Sequence, residues 1–208
     1  MYFKKMLTQI EKVIISIVLS LTSIGLFVTL KGKERKISMI AMLLSTIADI
    51  FMTDILSLGE ISTYPGAAFF ILAHLVYAFG FFKASKRKGY TIINKGAITG
   101  IILVVLSAVA LGIIAFSIEE PQTVMFFLIL VYYLIIGFNL VMQFSYATNE
   151  KGSRLMLIPA MTLFLISDFT IFLNMLAVTP EHNDLVWLTY IPAQFFIILF
   201  NSNLRKEK

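Results

Sequence analysis

The chain alternates between apolar runs of about twenty residues and short polar breaks. The runs cover 10–30, 37–58, 65–82, 96–118, 123–147, 155–178 and 185–203. An α-helix rises 1.5 Å per residue, so about 20 apolar residues cross a hydrocarbon layer of roughly 30 Å, and the pattern predicts seven transmembrane helices. The first run follows Lys4, Lys5 and Lys12, as a signal peptide would. No small-residue cleavage site follows it and six further runs do, so it reads as a retained helix.

The polar breaks fall into two alternating classes. One holds Lys31, Lys33, Arg35 and Lys36, then Lys83, Lys86, Arg87, Lys88 and Lys95, then Lys151 and Arg154, and finally Arg205, Lys206 and Lys208. The other holds Glu60, then Glu119 and Glu120, then Glu181 and Asp184, with no Lys or Arg. Positive charge marks the cytoplasmic side, so the C-terminus is expected in the cytoplasm and, with seven crossings, the N-terminus outside. The three N-terminal lysines oppose that placement, and an eighth crossing would reconcile them.

Composition agrees. Of 208 residues, 59% are hydrophobic and 14% charged, with a mean hydropathy of +0.90, far from the balance of a soluble domain. The expectation is an all-α polytopic bundle forming a single integral membrane domain over 1–208, in a bacterial cytoplasmic membrane. The net charge of +5 is accounted for by the basic breaks, so no nucleic-acid partner is expected. The chain has no cysteine and only His74 and His182, which excludes disulfides, thiolate ligands and a three-histidine zinc site. Neither a Gly-x-Ser-x-Gly motif nor a glycine-rich nucleotide loop occurs, so neither a serine nucleophile nor a metal or cofactor is expected.

Candidate chemistry lies in the polar residues within the runs. A carboxylate at mid-bilayer costs about 2.5–3.5 kcal/mol on insertion scales, so such residues face a protein or water-filled interior for a reason. Asp49 lies about 18 Å up the second predicted helix and Asp168 about 20 Å up the sixth, while His74 and Gln194 come in about 14 Å from the opposite ends of the third and seventh. The four are thus predicted at nearly one level. Tyr77 shares a helix face with His74. Asp54 falls near the interface and reads as rim. Asn139 and Gln143, spaced i,i+4, read as interhelical hydrogen bonds, a role His74 could also fill.

The second and sixth runs each carry an apolar stretch ending in a small residue before Asp, at Ala48-Asp49 and Ser167-Asp168, and each is followed after an acidic turn by a helix with His74 or Gln194. The offset of 119 residues suggests a weak parallel repeat of helices 2–3 and 6–7.

Leu44-Ser-Thr-Ile-Ala-Asp49, Pro65-Gly-Ala-Ala-Phe-Phe-Ile-Leu-Ala-His74-Leu-Val-Tyr77, Phe164-Leu-Ile-Ser-Asp168, and Leu188-Thr-Tyr190 with Gln194 together resemble the YhhN family of membrane proteins, which includes the lysoplasmalogenases. The resemblance implies cleavage of the vinyl ether bond of a lysoplasmalogen, releasing a fatty aldehyde and a glycerophospho-base. Its partners would be that lysophospholipid and bilayer lipid. Vinyl ether hydrolysis needs a proton donor and a counter-anion, roles that two buried carboxyls of unequal environment can divide. Asp49 and Asp168 are therefore the expected catalytic pair, coupled in their titration, with His74, Tyr77, Tyr190 and Gln194 binding substrate, water or the acids. A proton-coupled solute transporter would also need buried acids and a repeat, and a non-catalytic member of the family could use them only as interhelical bonds.

Overall fold

The computed structural model of the protein describes residues 7–117, 123–176 and 183–204. Seven helices occupy them: α1 (Gln9–Leu30), α2 (Lys33–Met52), α3 (Thr63–Arg87), α4 (Lys95–Phe116), α5 (Thr123–Asn149), α6 (Arg154–Met175) and α7 (Asn183–Asn203). No strand occurs among the described residues. Glu119, Glu120, Glu181, His182, Lys4, Lys5, Arg205, Lys206 and Lys208 lie outside them.

Six of the seven are long and apolar enough to cross a membrane. The exception is α2, because Arg35, Lys36 and Asp49 fall within its 20 residues. It nevertheless packs between α1 and α3. The apolar pattern extends the second span to residue 58, whereas α2 stops at Met52. Asp54 stops it: its backbone turns left-handed at φ 51°, and its Oδ1 accepts from the amides of Leu58 at 2.7 Å and Gly59 at 3.0 Å. A side chain that satisfies the amides beyond it competes with helix continuation. Asp54 thus serves the rim, as its position suggests.

The helices form a closed ring in the order α1, α2, α3, α5, α6, α7 and back to α1, with α4 packed outside against α5. The outward faces of α1 and α4 carry the apolar surface expected against lipid, including Ile14, Val18 and Leu21, and Ile102, Leu106 and Ile113. Gly96 and Gly100 let α4 approach α5 closely, in the small-xxx-small manner of membrane helices. A Cβ at Gly96 would strike the Phe144 carbonyl and the Thr148 hydroxyl, and one at Gly100 would lie 3.1 Å from the Val141 Cα. Backbone cannot yield as a side chain can. Gly96→Ala should therefore destabilise the bundle by about 1–3 kcal/mol, the usual cost of overpacking, read as a lowered unfolding midpoint in detergent.

At the basic end, several charges predicted to mark topology also bind helices together. Arg35, 2% exposed, donates from Nε to the Asn201 carbonyl at 2.9 Å and from its two terminal nitrogens to the carbonyls of Lys31 and Leu204. One guanidinium thus closes the C-terminal ends of α1 and α7, where unsatisfied carbonyls favour a cation. Arg87 pairs with buried Glu34, and Lys88 donates to Tyr146 and Glu150. Burial disfavours the Lys88 charge, but its bonds to Tyr146 and Glu150 outweigh this and hold its pKa above the ordinary lysine value.

Candidate acid site inside the ring

Every ring helix sends a polar side chain inward. Asp49 on α2 is 1% exposed, and its Oδ2 accepts from Ser16 Oγ of α1 at 2.6 Å and from Tyr190 OH of α7 at 2.8 Å. Gln194, one turn further along α7, donates to the Tyr190 oxygen at 3.0 Å. Hydrogen bonds from two hydroxyls fix the orientation of this carboxyl.

Asp168 on α6 anchors a second network. Its Oδ1 accepts from Tyr132 OH of α5 at 3.5 Å, and His74 Nε2 of α3 stands 3.4 Å from its Oδ2. The other ring nitrogen, Nδ1, accepts from the Asn139 amide at 2.8 Å, while Asn139 Oδ1 is taken by Gln143 Nε2 at 3.0 Å. This chain assigns the proton of a neutral His74 to Nε2, facing Asp168. Asn139 thus makes the interhelical bond expected of it and sets a histidine tautomer, whereas Gln143 bonds to Asn139 within α5 rather than across helices.

No hydrogen bond joins Asp49 to Asp168 among the described residues. The Phe164 ring stands edge-on to both His74, at 5.7 Å, and Tyr190, at 5.8 Å, between the two networks. Counted from the basic ends, Asp49 lies about 24 Å along α2 and Asp168 about 21 Å along α6, although α2 ends only about 5 Å beyond its acid and α6 about 10 Å beyond its own. Tyr77 is buried at 1% exposure, but its hydroxyl has no hydrogen-bond partner among the described residues and joins neither network.

The contacts are exchanged between halves. Asp49 is held by the preceding helix of its own half, α1, and by α7; Asp168 is approached by the preceding helix of its own half, α5, and by α3. The 119-residue step from Asp49 to Asp168 also carries the start of α2 to within two residues of the start of α6, the start of α3 to within one of α7, and the end of α1 onto the end of α5. The repeat therefore reads as three helices, a linking helix and three helices, one helix larger per half than the sequence suggests.

Two cavities meet at this site. The first, about 320 Å³, is lined by Asp49, Thr63, Ser167, Asn174, Trp187 and Tyr190 among others. The second, about 300 Å³, is an apolar groove that includes Ala67, Ala68, Ile129, Tyr132 and Phe172. Met52, Thr63, Phe70 and Ile171 line both, so the polar chamber and the apolar groove share a wall. Asp49 faces the chamber directly, whereas Asp168 reaches the groove only through Tyr132. Among the described residues, no group of three His, Cys, Asp or Glu side chains is arranged to hold a metal ion.

Two contributors escape the sequence reading. Ser16 belongs to a buried row with Ser20 and Ser23, spaced four and three residues apart, a visible sign of an inward helix face. Tyr132 carries no such sign within an aromatic-rich run.

A ring of helices around buried carboxyls, all but α2 long and apolar enough to cross a membrane, defines a polytopic membrane protein with an internal acid site. The chain belongs to the YhhN family, whose model matches residues 8–200. No curated protein and no solved structure matches it.

Proposed function

We propose that the protein is a membrane lipid hydrolase that cleaves the vinyl ether bond of a lysoplasmalogen, with Asp49 as the proton donor. The observation that carries this reading is the shared wall between a polar chamber floored by Asp49 and an apolar groove. A single-chain lipid has that polarity: its tail suits the groove, its glycerol the chamber, and the bond between them falls at the junction. Asp49 lies near the acidic end of its helix, three residues before the end of α2.

The Asp49 carboxyl gives its proton to the vinyl carbon remote from the ether oxygen, forming an oxocarbenium ion beside the new carboxylate. Water adds to the cationic carbon and returns a proton to Asp49. The hemiacetal then breaks its bond to the glycerol oxygen, which takes up the hydroxyl proton, leaving aldehyde and glycerophospho-base. One water is consumed overall. Ser16, Tyr190 and Gln194 orient Asp49. Asp168 and His74 act from behind Tyr132 as positioning residues. The basic end faces the cytoplasm, so lipid enters from the opposite leaflet.

Purified protein given a lysoplasmalogen and, separately, an ester-linked lysophospholipid should release aldehyde from the first and no fatty acid from the second. Fatty acid from the ester, or no aldehyde, overturns the assignment. Ala67→Phe narrows the groove and should raise KM for long-chain substrate about tenfold while sparing short chains, since displacing two methylenes loses roughly 1.6 kcal/mol. Kinetics against chain length read this directly.

The exchanged three-helix halves favour one second reading, since parallel repeats also build secondary transporters. Against it, α2 and α6 run unbroken through their acids, and α6 and α7 continue through Pro159 and Pro192. Proton-coupled solute uptake by proteoliposomes without aldehyde release would support the transporter.

A further inference from the structure

The wall that separates the polar chamber from the apolar groove has a notch in it. Thr63 and Phe70, one turn to either side of buried Gly66 on the same face of α3, line both cavities. The notch at Gly66 is filled from α2. A Cβ on Gly66 would stand 2.7 Å from both Cγ and Sδ of Met52, but 3.4 Å from the Ala48 carbonyl oxygen, an ordinary contact. What Gly66 accommodates is therefore the Met52 side chain, whereas at Gly96 the neighbouring backbone stands in the way. Met52 also lines both cavities, and it ends α2 one turn beyond Asp49 on the same face. Its companions in the wall are stiff: Thr63 and Ile171 branch at Cβ, and the Phe70 ring rests edge-on against Tyr190 at 5.7 Å. Met52, an unbranched thioether with three rotatable bonds, is the adaptable member.

We propose that Met52, seated on Gly66, sets the width of the crossing between groove and chamber and so selects a chain that is unbranched beside its vinyl ether. The inference rests on the lipid reading above and adds a feature of the substrate class. A lipid with its tail in the groove and its glycerol in the chamber passes this wall, and because Asp49 stands one turn away, the atoms that pass are the vinyl carbons and the first methylenes. A flat vinyl group followed by a linear chain is thin at that point, whereas a methyl branch there needs the space the thioether occupies. With glycine at 66 the Met52 side chain draws back against α3. A methyl group at 66 drives it off that helix and into the crossing.

The test compares a long-chain lysoplasmalogen with a tail-less analogue whose vinyl group ends in CH2. Gly66→Ala should lower kcat/KM for the long-chain substrate about tenfold, the effect of one misplaced methyl group in an apolar site, and change that for the tail-less analogue by less than about twofold. Adding Met52→Ala should bring the long-chain value back to within about threefold of the parent, and Met52→Ala alone should raise turnover of a substrate methylated on the carbon next to the vinyl group about tenfold. Equal losses on the long-chain and tail-less substrates place the effect of Gly66→Ala in the fold or the acid and overturn the proposal, as does a double variant no better than Gly66→Ala. Equilibrium binding of a saturated 1-alkyl lysophospholipid, which has no vinyl ether to cleave, separates this inference from the reaction. Binding weakened by Gly66→Ala and restored by Met52→Ala, with no aldehyde from any substrate, retains the crossing and overturns the reaction. Aldehyde release with rates and binding indifferent to both substitutions does the reverse.

Discussion

Asp49→Asn should lower aldehyde release from lysoplasmalogen by at least about a thousandfold, within the range a positioned general acid contributes. The protein should remain folded. Asparagine keeps a carbonyl oxygen where Oδ2 accepts from Ser16 and Tyr190, so the bonds from α1 and α7 survive while the transferable proton is lost. Tyr190→Phe and Ser16→Ala each remove one donor and leave the acid, so smaller losses of about tenfold are expected from misorientation. Turnover by Asp49→Asn within tenfold of the parent, at equal thermal stability, would remove Asp49 from the reaction. The Tyr190→Phe result separates orientation from chemistry: a fall in kcat with unchanged KM marks Tyr190 as acting on the acid rather than on the lipid.

The second large effect is on stability. His74→Leu leaves Asp168 buried with only the 3.5 Å bond from Tyr132, and it strands the Asn139 amide as well. Leaving a buried acceptor or donor without its partner costs about 1–3 kcal/mol each, so the unfolding midpoint in detergent should fall sharply. The double variant His74→Leu with Asp168→Leu should be more stable than His74→Leu alone, because no unpartnered carboxyl remains. If the two changes are simply additive, His74 and Asp168 are not energetically coupled and the 3.4 Å approach is incidental. Aldehyde release should fall in both variants, since Tyr132 loses the carboxyl that positions it.

Much of this was legible in the residues because a bilayer imposes so strict a solvent. Apolar length located all seven helices, and the cost of charge in hydrocarbon singled out Asp49, Asp168 and His74, which the fold brings inside one ring. The boundary of α2 was not legible from hydropathy: Ile55, Leu56 and Leu58 prolong the apolar run, while the stop lies in a left-handed turn at Asp54. Of their partners, His74, Tyr190 and Gln194 were singled out by the sequence, whereas Ser16 and Tyr132 were not, since contact across the ring depends on its closure, which no local spacing expresses. Tyr77 shows the converse error. Its spacing from His74 is sound, yet a shared helix face does not guarantee a shared network when Phe164 and Tyr132 occupy the space around the imidazole.

Delivery of a proton to carbon leaves a mark that other cleavage routes do not. If the protein turns over lysoplasmalogen in heavy water and the aldehyde is trapped as it forms, mass spectrometry should find a single deuterium on the carbon next to the carbonyl, and Asp49→Asn should yield no product above background. Unlabelled aldehyde, or labelled aldehyde formed as fast by Asp49→Asn, would contradict the mechanism.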